Sequence, residues 1–252
     1  MIRRPASVAD LDAACALVEK GVRAYYEAAV GPWNAEDART SIARTLPGWE
    51  ILERGGAVVG ALHVEDADGD VWLRQIYLAE TNTGLGGRLV AEGVAAAHAR
   101  GRSVRLRLIR GNPAQRLYAR QGFVVEREEP ARVYMVAHPD VEALSAAQLR
   151  AYNATDLEAF CACYHTEVCV LGEDGAPRLS GMEAFRASYR KMFAENEGVG
   201  AEVDTRLTLG PHTVERERWW RTNRATGLRS EGVVLVRYTA VDGRIRWVEF
   251  LR

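Results

Sequence analysis

Gly84, Gly86 and Gly87, with Leu85 between the first two, sit between an apolar run of strand type and a run of helix formers. Glycine lets the backbone turn sharply and approach a ligand closely, and the free amides at a helix N-terminus attract an anion. Strand, glycine turn and helix together make a device for holding a phosphate or pyrophosphate. Two common nucleotide sites are excluded. A P-loop requires Gly-Lys-Ser/Thr, and no lysine stands here; the dinucleotide fingerprint requires a third glycine where Leu89 stands. Behind a second strand, Asn112-Pro113-Ala114, Tyr118 and Gly122-Phe123 add an amide, a phenol and a helix stop. The four cysteines are Cys15, Cys161, Cys163 and Cys169. Three crowd into one segment without a second ligand pair, which points to free thiols in a reducing cytoplasm rather than to disulfides or a metal.

The elements that must position these residues alternate in the first half. Ser7 caps a helix whose apolar positions include Leu11, Cys15, Val18 and Val22, and Asn34 caps a second short one. Gly55-Gly56 joins strands 49–54 and 57–65 as a two-residue hairpin, and the turn at 66–70 leads to a strand over 71–78. The glycine cluster opens a helix through Arg100 that Gly101 ends, and Val104–Ile109 is the next strand. Pro113 suits the first turn of a helix closed by Gly122, and strands follow over 123–127 and 132–136. His138-Pro139-Asp140 breaks the rhythm and divides the chain into domains 1–140 and 141–252. Beyond it helices come first, capped by Ser145, Thr155 and Ser180. Four strands follow, over 201–209, 213–222, 228–238 and 244–251, with turns at Gly210-Pro211, Thr226-Gly227 and Asp242-Gly243. Consecutive strands with short turns imply an antiparallel sheet with helices on one side. The fold class is α/β to α+β: a mixed sheet flanked by helices, then a second α+β domain.

The spacing Asn112, Tyr118, Gly122-Phe123 behind a strand and a glycine-opened helix resembles the GNAT acyl-CoA N-acyltransferases, and IRRPASVADL at Ile2–Leu11 resembles that family's opening strand and first helix. The resemblance covers residues 1–138. It implies that the amides of Gly84, Leu85, Gly86 and Gly87 bind the pyrophosphate of acetyl-CoA, with Arg88 close by. It also implies that the backbone of Ile76 and Leu78 runs along the pantetheine arm, that Asn112 bonds that arm, and that Tyr118 is the general acid for the departing thiolate. Thr81 stands where the family usually has Arg or Gln, and strand 71–78 carries no carboxylate for a general base. Glu53, Glu65 and His63 are the candidate bases, or a bound water does this work. Tyr25, Tyr26 and Trp33 are the candidates for lining the site of a small-molecule amine acceptor.

From Leu144 onward, the run Tyr152–Phe160, Ser180–Ala184 and Asp242–Ile245 resemble the nuclear transport factor 2-like superfamily, which includes SnoaL-type cyclases and ketosteroid isomerases. The implied fold is a cone, a curved antiparallel sheet wrapped around helices over residues 142–252. Counted from Asn153, the isomerase tyrosine falls on Gln148 and its base on Gly172, so both groups are missing unless a slip brings in Glu173 or Asp174. His165, Glu217 and Glu231 are the remaining polar candidates, placed on alternating strands as surface residues. Trp219, Trp220 and Trp247 suit a ligand pocket or an interface, including a homodimer through this domain.

The 252 residues are 48% hydrophobic and 27% charged, with 33 basic and 34 acidic side chains and a net charge of −1. Neither half has the basic face that nucleic acid requires, and no apolar run reaches membrane-span length. Three readings stand. The chain is an N-acetyltransferase whose second domain dimerises it or helps choose the acceptor, such as a hydrophobic or drug-like amine. Alternatively the cone is the enzyme, an isomerase, cyclase or dehydratase, with the first half accessory. In the third reading both pockets bind ligands without catalysis.

Overall fold

The computed structural model describes residues 1–81 and 83–251. The chain divides into two compact units: Met1–Ala95 with Val104–Ala137, and Ala96–Ser103 with the chain from His138 onward. A cut at residue 140 does not foresee the placing of Ala96–Ser103 in the second unit.

The first unit contains β1 (Ile2–Pro5), α1 (Leu11–Ala29), α2 (Ala35–Thr45), β2 (Trp49–Arg54), β3 (Ala57–Ala67) and β4 (Asp70–Leu78). It continues with α3 (Leu85–His98), of which the residues up to Ala95 belong to this unit, β5 (Val104–Ile109), α4 (Ala114–Arg120), β6 (Val124–Glu128) and β7 (Arg132–Ala137). Its seven-stranded sheet has the order β1-β2-β3-β4-β5-β7-β6. β4 and β5 pair in parallel, and the other neighbours are antiparallel. Two tight turns set the β2-β3-β4 register: Gly55-Gly56 at φ 59° and 79°, and Asp68-Gly69 at φ 54° and 79°. Positive φ at both positions matches the twist of a two-residue hairpin, which is why glycine and aspartate stand there.

Side chains alternate across this sheet. Trp49, Ile51 and Ala61 pack with Ala14, Leu17 and Val18 of α1, while Leu52 on the other side packs with Leu85 and Leu89 of α3. Each fully buried aliphatic side chain contributes about 1.5–3 kcal/mol. Asn34 caps α2 through its Oδ1, which accepts from the amides of Glu36 and Asp37. Ser7 starts a single 3-10 turn, Val8–Asp10, before α1. There the Asp10 carboxylate accepts from the Ser7 amide at 2.7 Å and from both Nη atoms of Arg4 at 2.9 and 2.6 Å. The Arg4 guanidinium holds the Asp10 carboxyl well below the usual carboxylate range.

The second unit contains α5 (Val141–Asn153), α6 (Leu157–Ala162), β8 (Tyr164–Leu171), β9 (Pro177–Ser180), α7 (Met182–Glu195), β10 (Asn196–Leu209), β11 (His212–Asn223), β12 (Arg229–Val241) and β13 (Arg244–Leu251). Its six-stranded sheet runs β10-β11-β12-β13-β8-β9. The sheet is mixed rather than antiparallel throughout, because β8, which the sequence reading assigned to no strand, pairs in parallel with β13. Register shifts interrupt the β10–β11 pairing between Glu197 and Gly200 and between Val203 and Thr205. Such bulges bend and twist long strands. The helices pack on the strands around Phe160, Tyr164, Phe185 and Tyr189, whose ring centroids lie 4.5–5.6 Å apart along the chain of contacts.

The caps differ from the sequence expectation. Asp140 caps α5 and Asp156 caps α6, each through its carboxylate, and Gly181 at φ 82° opens α7. A carboxylate one turn earlier captures the amide, so Ser145 lies inside α5. Thr155 adopts φ 52° just before its helix, and Ser180 closes β9.

Candidate functional site

The feature that shapes the first unit is the end of the β4–β5 pairing. Residues 71–73 pair with 104–106, and there the ladder stops, although β4 runs on to Leu78 and β5 to Ile109. A bulge contributes to the parting: His63 pairs with Gln75 and Val64 with Leu73, which leaves Arg74 without an opposite residue on β3. Beyond this point Ile76 and Leu78 pair with Leu62 and Gly60 on β3, and their other backbone edge faces the opened fork. An unpaired strand edge is a row of donors and acceptors ready for an extended ligand.

A cavity of about 1310 Å³ occupies this region. Its lining brings together Ile76, Leu78, Gly84, Gly86, Gly87, Asn112 and Tyr118, together with Tyr25, Tyr26 and Trp33. Gly84 takes φ 76°, and its carbonyl accepts the Arg88 amide at 3.2 Å as α3 begins. A Cβ on Gly86 would stand 3.3 Å from Leu78 and 3.7 Å from Leu117, so this glycine also serves the close approach of α3 to its neighbours. Leu85 is buried in the core beneath the turn, and its amide points to Thr83 Oγ1 at 3.5 Å.

Asn112 lies two residues before α4, and its Oδ1 accepts the Ala114 amide at 2.9 Å. Its Nδ2 makes no hydrogen bond among the described residues. Tyr118 is buried on α4 with its ring 5.7 Å from that of Phe123. Burial pushes the phenol up to about 12, so it holds its proton across the neutral range. Tyr77 lies close enough for its charge state to be felt. Its own phenol is raised by burial and by Tyr118, against the opposing pull of Arg132 and Arg107.

The rest of the wall is aromatic and polar. Tyr26 and Trp33 meet edge to face at 5.4 Å, and Trp49 stacks on His63 at 6.3 Å. The Tyr77 hydroxyl donates to Gln75 Oε1 at 2.5 Å. His63 Nε2 lies 3.7 Å from Glu65 Oε2, and Glu65 is bound in turn by Arg74. Desolvation lowers the His63 imidazole below 6.5, Glu65 opposes this and Arg74 reinforces it, so the ring is neutral at neutral pH. Of the three candidate bases, His63 and Glu65 stand together on the cavity wall. Glu53 is instead an ion-pair partner of Arg4 on β2. The buried indole N–H groups of Trp33, Trp49 and Trp72 find no acceptor among the described residues.

In the second unit a polar chain crosses the core. The Tyr164 hydroxyl donates to Gln148 Oε1 at 3.0 Å, Gln148 Nε2 donates to Tyr238 Oη at 3.3 Å, and the Tyr238 hydroxyl donates to Glu217 Oε1 at 2.7 Å. Burial raises the Glu217 carboxyl to about 7, while the Tyr238 hydrogen bond holds it lower than burial alone would. Two residues earlier, Glu215 is fully buried and accepts from Ser145 Oγ at 2.6 Å and from Arg206 Nε at 2.7 Å. The expectation that Glu217 lies on the surface is therefore corrected. Along β11 the buried positions are Thr213, Glu215 and Glu217, and Arg216 and Arg218, which alternate with the two glutamates, are exposed. Hydrophobicity could not reveal this phase, because both faces of the strand are charged. Glu173 and Asp174 lie in the exposed turn after β8, and Glu231 is exposed on β12.

Residues 146–248 match the SnoaL-like domain family. Among solved structures, the chain is similar to a cystatin fold protein from Novosphingobium aromaticivorans at 23% identity, covering 43% of this chain and 95% of that one, with a TM-score of 0.41. It is similar also to TsrD from Streptomyces laurentii, at 22% identity over 43% and 84% of the two chains, with a TM-score of 0.38. An LEH-like epoxide hydrolase from M. tuberculosis has 16% identity over 43% and 78%, with a TM-score of 0.39. No curated protein matches the chain. Among the described residues no helix is long and apolar enough to cross a membrane, and no three His, Cys, Asp or Glu side chains group as for a metal ion.

Proposed function

We propose that the first unit is an acyl-CoA-dependent N-acetyltransferase acting on a small-molecule amine. The observation that carries this reading is the fork between β4 and β5, with a cavity lined by the glycine turn at the start of α3 and by Asn112 and Tyr118. Acetyl-CoA supplies the activated acyl thioester. The amides of the 84–87 turn and the N-terminal end of α3 are suited to its pyrophosphate, with Arg88 beside them. The open backbone edge at Ile76 and Leu78 suits the amide-bearing arm, and Asn112 Nδ2 offers one more donor. Tyr118 Oη holds the proton that a departing thiolate takes. His63, kept neutral by burial, is the proton acceptor for the incoming amine, with Glu65 to stabilise its charged form. Tyr25, Tyr26 and Trp33 flank the acceptor and exclude water. The test is calorimetric titration with acetyl-CoA, followed by release of CoA with a panel of amines. Neither binding nor release would end this reading.

A second reading is favoured by the SnoaL-like match and by Glu217. A carboxyl raised to about 7 and hydrogen-bonded to a buried tyrosine is equipped for proton transfer near neutral pH. In this reading residues 146–248 carry isomerase-, cyclase- or dehydratase-type chemistry, or a silent binding pocket, and the first unit is accessory. Loss of activity in Glu217→Gln with the Tyr118→Phe variant fully active would favour it over the first.

A further inference from the structure

We infer that the substrate of the fork carries a carboxylate, bound by Arg107 and Arg132; the inference rests on the acyltransferase reading of that site. Arg107 is the first residue of β5 beyond the last β4–β5 pair, at the mouth of the fork. Arg132 opens β7, paired with Ile109, so the register sets both arginines on the same sheet face as Trp72, His63 and Gln75. Both line the cavity together with Tyr77 and Tyr118, and both pull the Tyr77 phenol down against its burial.

Their neighbours are matched with acids and they are not. Arg105 binds Asp70 and Glu126, Arg110 binds Glu128, and Arg74 binds Glu65. The guanidinium groups of Arg107 and Arg132 have no ion-pair or hydrogen-bond partner among the described residues. Two unmatched cations would repel a plain protonated amine at this point. A carboxylate on the same molecule reverses that interaction, since guanidinium binds carboxylate through charge-assisted, often bidentate hydrogen bonds. Cofactor phosphates have their own cations elsewhere. Arg116 and Arg120 line the cavity on α4, on either side of Leu117, which packs at Gly86 and Gly87 beside the glycine turn. The aromatic side chains of Tyr25, Tyr26 and Trp33 complete a site for an amino acid with an apolar or aromatic body.

The experiment uses the full chain and matched acceptors with and without the carboxylate: L-phenylalanine against phenethylamine, and 4-aminobenzoate against aniline. With acetyl-CoA, kcat/KM is expected to favour the carboxylate member of a pair by about tenfold or more, the effect of one or two charged hydrogen bonds. Arg107→Gln and Arg132→Gln are each expected to shrink that ratio by about tenfold while the acetyl-CoA affinity, measured by calorimetry, stays the same. Turnover that favours the plain amines would overturn the inference. An equal loss of acetyl-CoA affinity in the variants would also overturn it, by assigning the two arginines to the cofactor. Replacing acetyl-CoA with succinyl-CoA separates the two sources of a carboxylate. A gain with succinyl-CoA and phenethylamine that Arg107→Gln abolishes would place the carboxylate on the acyl group instead of the acceptor. Direct calorimetric binding of N-acetyl-L-phenylalanine, weakened about tenfold in Arg107→Gln, tests the arginines without turnover. Were acetyl-CoA itself not to bind, the acyltransferase reading would fail first, and that result is distinguishable from all of these.

Discussion

Removing the Tyr118 hydroxyl separates chemistry from packing. The ring is buried and packs at 5.7 Å on Phe123, the residue lines the cavity, and its oxygen makes no hydrogen bond among the described residues. Tyr118→Phe keeps the ring and loses only the hydroxyl, so the stability change is expected to stay within about 0.5 kcal/mol, as for a substitution that breaks no contact. The catalytic change is expected to be far larger. General acid assistance contributes at least about 100-fold, which corresponds to about 2.7 kcal/mol of barrier. A phenol held up to about 12 stays protonated throughout the assay range, so Tyr118 adds no alkaline limb below about pH 10. The assay is CoA release, followed with a thiol reagent over pH 6 to 10, beside calorimetric titration with acetyl-CoA. The expected result is kcat lowered about 100-fold, with the acetyl-CoA affinity and urea midpoint unchanged. A kcat within about twofold of the parent would remove Tyr118 from the reaction. Equal losses of rate and stability would reduce it to a packing residue.

His63→Gln keeps a similar volume and removes the neutral imidazole. It is expected to lower kcat/KM about 100-fold near neutral pH and to abolish the acid limb, whose apparent pKa should lie below 6.5. An unchanged pH profile would pass the role to water. Glu217 is raised to about 7 from an ordinary 4.5, so its share of stability is fully present below about pH 4.5 and is lost as pH rises through 7. That share is about 3 kcal/mol, and urea unfolding of Glu217→Gln should lack the corresponding slope between about pH 4.5 and 7. Persistence of the whole slope would mean the carboxyl titrates normally. The depressed Asp10 carboxyl contributes in the opposite direction, stabilising above its unfolded value near 4 and losing this as pH falls. Asp10→Asn is expected to cost about 1–3 kcal/mol at pH 7 through its weakened Arg4 and Ser7 bonds. A loss below about 0.3 kcal/mol at neutral pH would show that the cluster is solvent-screened.

What could be read in the sequence divides along physical lines. Strands 49–54 and 104–109 and the turns at Gly55-Gly56 and Gly69 were legible because glycine at positive φ and alternating aliphatic residues are local signals. The β4–β5 fork was expected only through the resemblance and had no local signal, because the bulge at Arg74 that contributes to it shows only in the cross-strand register. The meeting of Ile76, Leu78, Gly84, Gly86, Gly87, Asn112, Tyr118, Tyr25, Tyr26 and Trp33 on one cavity was expected through resemblance alone, and no local signal required it. β8 was missed because it follows α6 with only Cys163 between, and the parallel pairing that stabilises it comes from β13, far along the chain. Glu217 was expected on the surface because charged residues occupy both faces of β11, so alternation gives no phase there. The interior there is polar, built from Ser145, Gln148, Tyr164 and Tyr238 on elements distant in sequence. His63 and Glu65 were named as separate candidates, and their juxtaposition follows from neighbouring positions on one face of β3.

The central claim is that the opened fork holds an acyl-CoA. Its most direct measurement is calorimetric titration of the full chain with acetyl-CoA, in parallel with Gly87→Asp. A Cβ at Gly87 would meet Leu117 only at ordinary contact distance, 3.5 Å, so the change brings a carboxylate to the proposed phosphate site without overpacking. The account predicts saturable binding of one acetyl-CoA per chain, weakened about tenfold or more in Gly87→Asp at an unchanged unfolding midpoint. Absence of binding by the parent protein, or equal binding by both, would contradict it.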